Sequence, residues 1–435
     1  MKRNNLYLLL VASLAFTFAS CGEGENVLNP VPDENENNED VVIKDNNDDS
    51  NPSRVIELND IESDIADMQL DFACNFFKEA AKERANKNFV ISPLSAYVDL
   101  SMIANGAKGK TASELISVLA GDKASIREVN DFNKRLNSEL VSLDKTTILQ
   151  LANSVWYSDK IDIDSSYVNV CKEYYNAQST KGDFLSEALL NQMNNWLSDA
   201  TKGLITSFKL GDLSQTKAVI ANALYFNGKW ASPFAPKDTK DDKFTNSDGS
   251  VSTVKMMHGK KYNYLKLGEE NGKFVIVEIP YGNSSYSFYA VFSVDENDVT
   301  LSGVENVINS KNINRVRAQM RYGDSYIEIP RFDVSSLGDI SSYLEGLGVK
   351  ELFDNPDLSG ISKTSFDKLG IMQESVIKVE ETRTEGAAAT YDFIITAKPG
   401  SVQTKQPFTV DRPFVFLVME KSVGTILFIG EINKL

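Results

Sequence analysis

Six apolar β-rich segments, residues 218–226, 274–279, 286–292, 326–329, 414–419 and 425–429, fall between helical stretches at intervals that follow no regular strand-helix-strand rhythm. A parallel sheet needs that rhythm, because each parallel strand is reached by a crossover, usually a helix. The pattern therefore argues for an α+β domain of mostly antiparallel sheets. A chain of 435 residues, 42% of them hydrophobic, can bury the core this requires, as one large domain or two ordinary ones. No internal repeat or Gly-rich phosphate loop is present, and Pro280, Tyr281, Gly282 and Asn283 read as a hairpin turn.

Amphipathic core helices come first. Apolar residues recur at helical spacing over residues 61–84 (Ile65, Met68, Leu70, Phe72, Phe76), and again from Pro93 through Leu100 and Ile103. Residues 88–95 (Asn-Phe-Val-Ile-Ser-Pro-Leu-Ser) predict a short buried strand and a Ser/Pro helix start. Residues 105–111 predict a glycine-bearing helix stop, then a helix capped by Thr111.

The chemistry is narrowed by what is scarce. A formal net charge of −16 argues against a nucleic-acid partner and offers no basic stripe for a heparin-type cofactor. His258 is the only histidine, which excludes a His-rich metal site. A Ser-His-Asp hydrolase would need His258 itself, yet residues 254–259 look like neither a nucleophile elbow nor a metal helix. His258 reads as a surface-turn residue, and a hydrolase is the least supported class. Neither cofactor nor metal is expected. Cys21, Cys74 and Cys171 are too few for a disulfide scaffold, and the last two read as free thiols on apolar-patterned helices.

Lys2 and Arg3 precede an apolar run, residues 6–18, too short to span a bilayer but suited to the core of a signal peptide. The run ends in Phe18-Ala19-Ser20-Cys21, which resembles the lipobox of bacterial lipoproteins, with Phe18 in place of the usual leucine. The resemblance implies that Cys21 is acylated and becomes the mature N-terminus. Gly22-Glu23-Gly24-Glu25-Asn26 is similar to the acidic signal of surface lipoproteins in Bacteroidetes-type Gram-negative bacteria. An ordinary cleaved signal with an incidental Cys21 is the alternative. Residues 22–53 hold ten acidic residues against Lys44 alone, a composition that cannot bury apolar surface and predicts a disordered tether. Its root-mean-square reach is about 30 Å. The expected organisation is a signal peptide over 1–20, a lipidated cysteine and tether over 21–54, and a folded domain over 55–435. The protein is then exported, either lipid-anchored to the outer membrane or extracellular.

Residues 380–407 do not read like the rest of the domain. A β-like approach over 376–379 gives way to Glu380-Glu381-Thr382-Arg383-Thr384-Glu385-Gly386-Ala387-Ala388-Ala389-Thr390, small side chains without a helical apolar face, and residues 396–407 look like an exposed loop. A long uncommitted loop in a compact domain is uncommon and usually functional.

The chain also resembles the serpin family over residues 61–435, through motifs that follow one another in the family's order. They are residues 88–95 with 105–111, Asn195-Trp196 with 201–205, and residues 222–230 (Asn-Ala-Leu-Tyr-Phe-Asn-Gly-Lys-Trp), similar to the central strand of the main sheet. Pro233-Phe234, Lys255-Met256-Met257, Ile329-Pro330-Arg331-Phe332, Leu347-Gly348-Val349 with Phe353, residues 357–361, 411–417 and 426–430 continue the series. The resemblance implies the serpin fold, with an exposed reactive-centre loop at about 381–407. It implies a monomer whose partner is a target endopeptidase held in a covalent complex, with no catalytic residues of its own.

In inhibitory serpins the cleaved loop inserts as a new strand in the main sheet, dragging the acylated protease with it. Glu381, Arg383, Thr384, Glu385, Gly386, Ala387, Ala388, Ala389 and Thr390 fall on the family's hinge. Period-two alternation turns Thr384, Gly386, Ala388 and Thr390 toward the sheet's packed underside, and all four are small, as overpacking would otherwise cost about 1–3 kcal/mol per site. The family's loop length puts the cleaved bond at Ala397–Lys398, with Ile395–Thr396 and Thr396–Ala397 as alternatives. Ala397 suits an elastase-like target, with subtilisin-like or papain-like enzymes open, while Pro399 hinders cleavage after Lys398. Insertion from Thr384 to Ala397 would carry a protease about 43 Å, and the starting fold is then metastable. The resemblance places Ser92, Ser95 and Asn222 at a gate under the central strands and Trp230 at the top, where insertion begins; core packing is the plain alternative for each.

Four positions depart from the family. Arg383 stands where the hinge usually has glycine, Asp392 would point inward on full insertion, and Glu328 and Gln373 replace histidines, Glu328 leaving the gate to be hydrogen-bonded differently. Arg383 and Asp392 motivate a rival reading as a non-inhibitory binding protein of the same fold. The anchor and tether alone motivate another, a surface adhesion lipoprotein.

Overall fold

The computed structural model describes residues 51–208, 213–267, 272–366, 370–384 and 408–435. Helix α1 (Asp60–Glu83) starts at Asn59, whose side chain accepts from the Glu62 N–H while the Glu62 carboxylate accepts from the Asn59 N–H, both at 3.0 Å. This reciprocal cap satisfies two donors that a helix start leaves orphaned. Ile65, Leu70, Phe72, Phe76 and Phe77 form its buried face. After the buried strand β1 (Phe89–Ile91), α2 (Pro93–Ala104) begins at Ser92, and Pro93 occupies the first helical position, where its missing N–H costs nothing.

Helix α3 (Gly109–Ala120) departs from the expected Thr111 cap. Lys108 holds the cap position without a side-chain hydrogen bond. Thr111 lies one turn in, and its Oγ1 accepts from the Asp357 N–H at 2.9 Å. Helices α4 (Ile126–Leu140), α5 (Ser165–Tyr175) and α6 (Glu187–Ala200) follow. Cys74 on α1 and Cys171 on α5 are free and buried, and burial pushes their thiols up to about 12 and about 11. Thiols so far from ionisation are poor nucleophiles.

The strands form two sheets. The larger runs β1, β15 (Ile426–Ile432), β14 (Phe414–Glu420), β8 (Tyr286–Ser293), β7 (Phe274–Pro280), β6 (Val251–Leu267), β9 (Arg321–Pro330) and β13 (Phe408–Thr409), with β5 (Lys240–Thr245) on β6. Every residue of β14 and β15 is buried, which is why both read as unbroken apolar runs. The smaller sheet runs β10 (Phe332–Asp339), β11 (Met372–Val379), β12 (Arg383–Thr384), β4 (Ala218–Lys229), β2 (Thr147–Ser158) and β3 (Gln178–Gly182). Described pairings are antiparallel except β13 with β9 and β2 with β3, as expected for an α+β domain.

His258 is not in a surface turn. It lies half-buried in β6, opposite Glu328 of β9, with Nδ1 2.9 Å from Glu328 Oε1. Lysines and Gly259 break the apolar alternation of β6 and hid the strand. Among the described residues no helix is long and apolar enough to cross a membrane.

Candidate functional site

Strand β12 lies between β11 and β4 at one end of the smaller sheet. Arg383 pairs with Lys229 and Thr384 with Gly228 on one side, and Thr384 with Val379 on the other. Beyond this point no described backbone pairing joins β4 to β11, and a cavity of about 610 Å³ separates them. Polar residues of its mostly apolar lining include Ser92 at the cap of α2, Ser95 and Asp99 of α2, Asn222 of β4, and Gln373 and Ser375 of β11.

Beside β12, beyond the lining of the cavity, stands an aromatic stack. Trp230, 3% exposed, lies parallel to Tyr281 with ring centroids 4.6 Å apart. Its indole N–H donates to the Glu380 carbonyl at 2.7 Å and its backbone N–H to the Thr382 carbonyl at 3.2 Å. Tyr281 donates its hydroxyl to Thr384 Oγ1 at 2.6 Å. Gly228 makes room for this: a Cβ there would come within 2.7 Å of the Phe226 ring and 2.8 Å of Tyr281.

Glu381, 5% exposed, anchors the turn into β12. Its Oε1 accepts from the Arg331 guanidinium and, at 2.9 Å, from the Thr239 hydroxyl. Burial alone would raise its carboxyl, but the hydrogen bonds from Arg331, its own backbone and Thr239, with the Arg331 charge, hold it below the usual carboxylate range. Arg383 is half-buried within β12, in an ordinary extended strand.

Farther along the cavity, Gln373 clasps the start of α2. Its Oε1 accepts from the Ser92 N–H at 3.0 Å and its Nε2 donates to the Ser92 carbonyl at 2.8 Å. Ser92 donates its hydroxyl to Ser95 Oγ at 3.0 Å and accepts from the Ser95 N–H at 3.3 Å, so Ser92 is also a helix cap. On the opposite wall Asn222 donates to Asn153 Oδ1 at 2.7 Å, and Asn153 donates to the Tyr175 carbonyl at 2.8 Å.

Trp230, Glu381, Arg383 and Thr384 therefore meet at one end, and Ser92, Ser95, Asn222 and Gln373 meet along the walls. Glu328 does not belong to the gate. It lies in the larger sheet, where its carboxylate binds His258 and accepts from the Thr409 hydroxyl at 2.7 Å; Gln373 alone of the two replaced histidines faces the cavity. Cys21, Glu385, Gly386, Ala387, Ala388, Ala389, Thr390, Asp392, Ile395, Thr396, Ala397 and Lys398 lie outside the described residues. Sequence reasoning missed Tyr281, taken for a mere turn residue, together with Thr239, Gly228 and Asp99. Arg331 was visible inside a motif but carried no assigned role.

For this mixed-sheet fold with its strand β12, comparison with known proteins names the family. The Serpin (serine protease inhibitor) family model matches residues 67–435, and the chain belongs to the serpin family. It is 32% identical over 375 residues to a serine protease inhibitor of Cyanea capillata, covering 83% of this chain and 96% of that protein. It is 30% identical over 376 residues to a leukocyte elastase inhibitor of Xenopus laevis, covering 83% and 97%. Human thyroxine-binding globulin has the same fold, with a TM-score of 0.75 at 24% identity over 86% of this chain and 99% of that one. The fold is thus shared with a protein that binds thyroxine.

Proposed function

We propose that this protein is a suicide-substrate inhibitor of serine endopeptidases, elastase-like or subtilisin-like, with papain-like cysteine proteases as further targets. The loop at about 381–407 is the bait, and the bond attacked is Ala397–Lys398 or one of its neighbours, Ile395–Thr396 and Thr396–Ala397. The observation that carries the reading is the strand β12: the chain leading into the loop already pairs with β4 and β11 at the end of the smaller sheet, in line with the cavity. Continued without a slip, the same register brings position 390 level with Asn222 and Gln373, so an inserting strand would run along the cavity between them.

Cys21 is proposed as the lipid attachment point, holding the domain to the outer membrane through residues 22–53. A non-inhibitory role within the family is favoured by one observation, the half-buried Arg383 at the hinge, where a stiffer backbone slows insertion.

The test is to incubate the chain with an elastase-type, a subtilisin-like and a papain-like protease and analyse the products by denaturing gel and intact mass. A covalent complex with a released peptide starting at Lys398 supports the inhibitor. Clean cleavage by all three without a complex supports the non-inhibitory reading.

A further inference from the structure

Asp99 has no part in the gate as drawn so far. It lies on α2 one turn beyond Ser95 and one turn before Ile103, and all three line the cavity. Its Oδ1 is buried without a hydrogen-bond partner, and no described residue gives the carboxyl an ion pair. Asn222 Oδ1 and Ser375 Oγ, on the two walls, are likewise unpartnered. The cavity floor thus holds an unmatched acid.

We infer that Asp99 couples insertion of the cleaved loop to the uptake of one proton, so that insertion is favoured in acid and opposed in alkali. The inference rests on the inhibitor reading and adds a positioning residue to it. A strand laid over the cavity removes the water that Asp99 faces, and an ionised carboxylate without a partner is costly to dehydrate. A counter-charge would spare it, but the strand brings none: the inward positions Thr384, Gly386, Ala388, Thr390 and Asp392 include no cation.

The surroundings supply none either. Lys217 and Glu374 are the other charged residues of the lining, and Lys217 donates its ammonium to the Ser365 carbonyl at 2.5 Å. On α5, Tyr167 and Cys171 are held protonated by burial. The proton is therefore the only species that can neutralise Asp99 beneath a strand. Burial already pushes this carboxyl well above the usual range, and covering it pushes it further. Because the acid is weaker after insertion than before, the proton-linked gain is complete below the starting pKa. It is lost as pH rises from that value to the higher pKa of the inserted state, by up to tenfold in the insertion equilibrium per pH unit.

The experiment compares the parent with Asp99→Asn, and with the smaller Asp99→Ser should the amide pack poorly, all in the full chain carrying Asp392→Ala so that the other inward carboxylate contributes no slope. Each is cleaved in the loop by a papain-like protease at pH 6, and the thermal midpoint of cleaved and intact protein is measured from pH 5 to pH 9. The expected result is a cleavage-induced increment that shrinks with rising pH in the parent and is level in both variants. A parent increment that is level across the range, or a slope retained in the variants, overturns the inference and leaves the inhibitor reading intact. No increment at any pH in parent or variants overturns both.

Discussion

The hydroxyl of Tyr281 and that of Thr384 share a 2.6 Å hydrogen bond across the end of the smaller sheet, with Tyr281 as donor. Thr384 is 1% exposed, so this bond fixes the first inward-pointing residue of β12 before any loop residue beyond it is placed. Removing it with Tyr281→Phe is expected to cost about 1 kcal/mol, seen as a lowered urea midpoint with an unchanged slope. An unaltered midpoint means the bond does not hold β12.

Gly228 guards the same contact from below. Gly228→Ala would press a methyl group against Phe226 and Tyr281, both nearer than 3 Å. An overpacking loss of about 1–3 kcal/mol is expected, and Tyr281→Phe in that background should add less than it does alone, because the bond is already displaced. Simple additivity in the double variant speaks against the coupling.

Glu381 gives the hinge an acid limit. Its carboxyl is held low in the folded protein, so the stability it lends is present above the ordinary glutamate value near 4.3 and fades as pH falls through the lower folded value. Hydrogen-exchange protection factors of the amides around β12 should fall below about pH 4 in the parent. In Glu381→Gln they should be low already at neutral pH and change little in acid.

Gln373 holds the Ser92 peptide from both sides, and Gln373→Ala would leave the Ser92 N–H without its partner. A loss of about 1–3 kcal/mol in unfolding free energy is expected, along with faster exchange at the start of α2. Gln373→Glu should keep the acceptor and lose only the bond to the Ser92 carbonyl, so a loss as large as that of alanine would contradict this account.

Asp392 is the inward residue least suited to burial. Asp392→Ala is expected to raise the ratio of covalent complex to cleaved inhibitor with whichever protease forms one, read by densitometry of denaturing gels. A lower ratio would mean that the carboxylate finds a partner on insertion.

Much of this was legible beforehand because the sequence advertises it locally. Ser92-Pro93 announces a helix start, the apolar runs of β14 and β15 announce buried strands, and residues 222–230 carry a family pattern whose two ends, Asn222 and Trp230, reach the cavity and the strand β12. What stayed hidden depends on distant residues meeting. Tyr281 looks like a hairpin residue until β12 is laid beside it, and Thr239 becomes a partner of Glu381 only through the fold. Asp99 sits in a helix whose other inward residues are apolar or hydroxylic, and spacing alone does not reveal an acid without a partner. Glu328 was misassigned because two residues before a proline is a position in the chain, whereas membership of a sheet is decided by pairing.

The two walls of the cavity have separate moorings. Gln373 binds β11 to the start of α2, while Asn222, through Asn153, binds β4 to β2 and to the end of α5. The walls can consequently part as two blocks with each set of bonds intact, like a door frame spreading without its hinges being drawn. Strand β12, paired with both β4 and β11, is the tie that spans the seam between them.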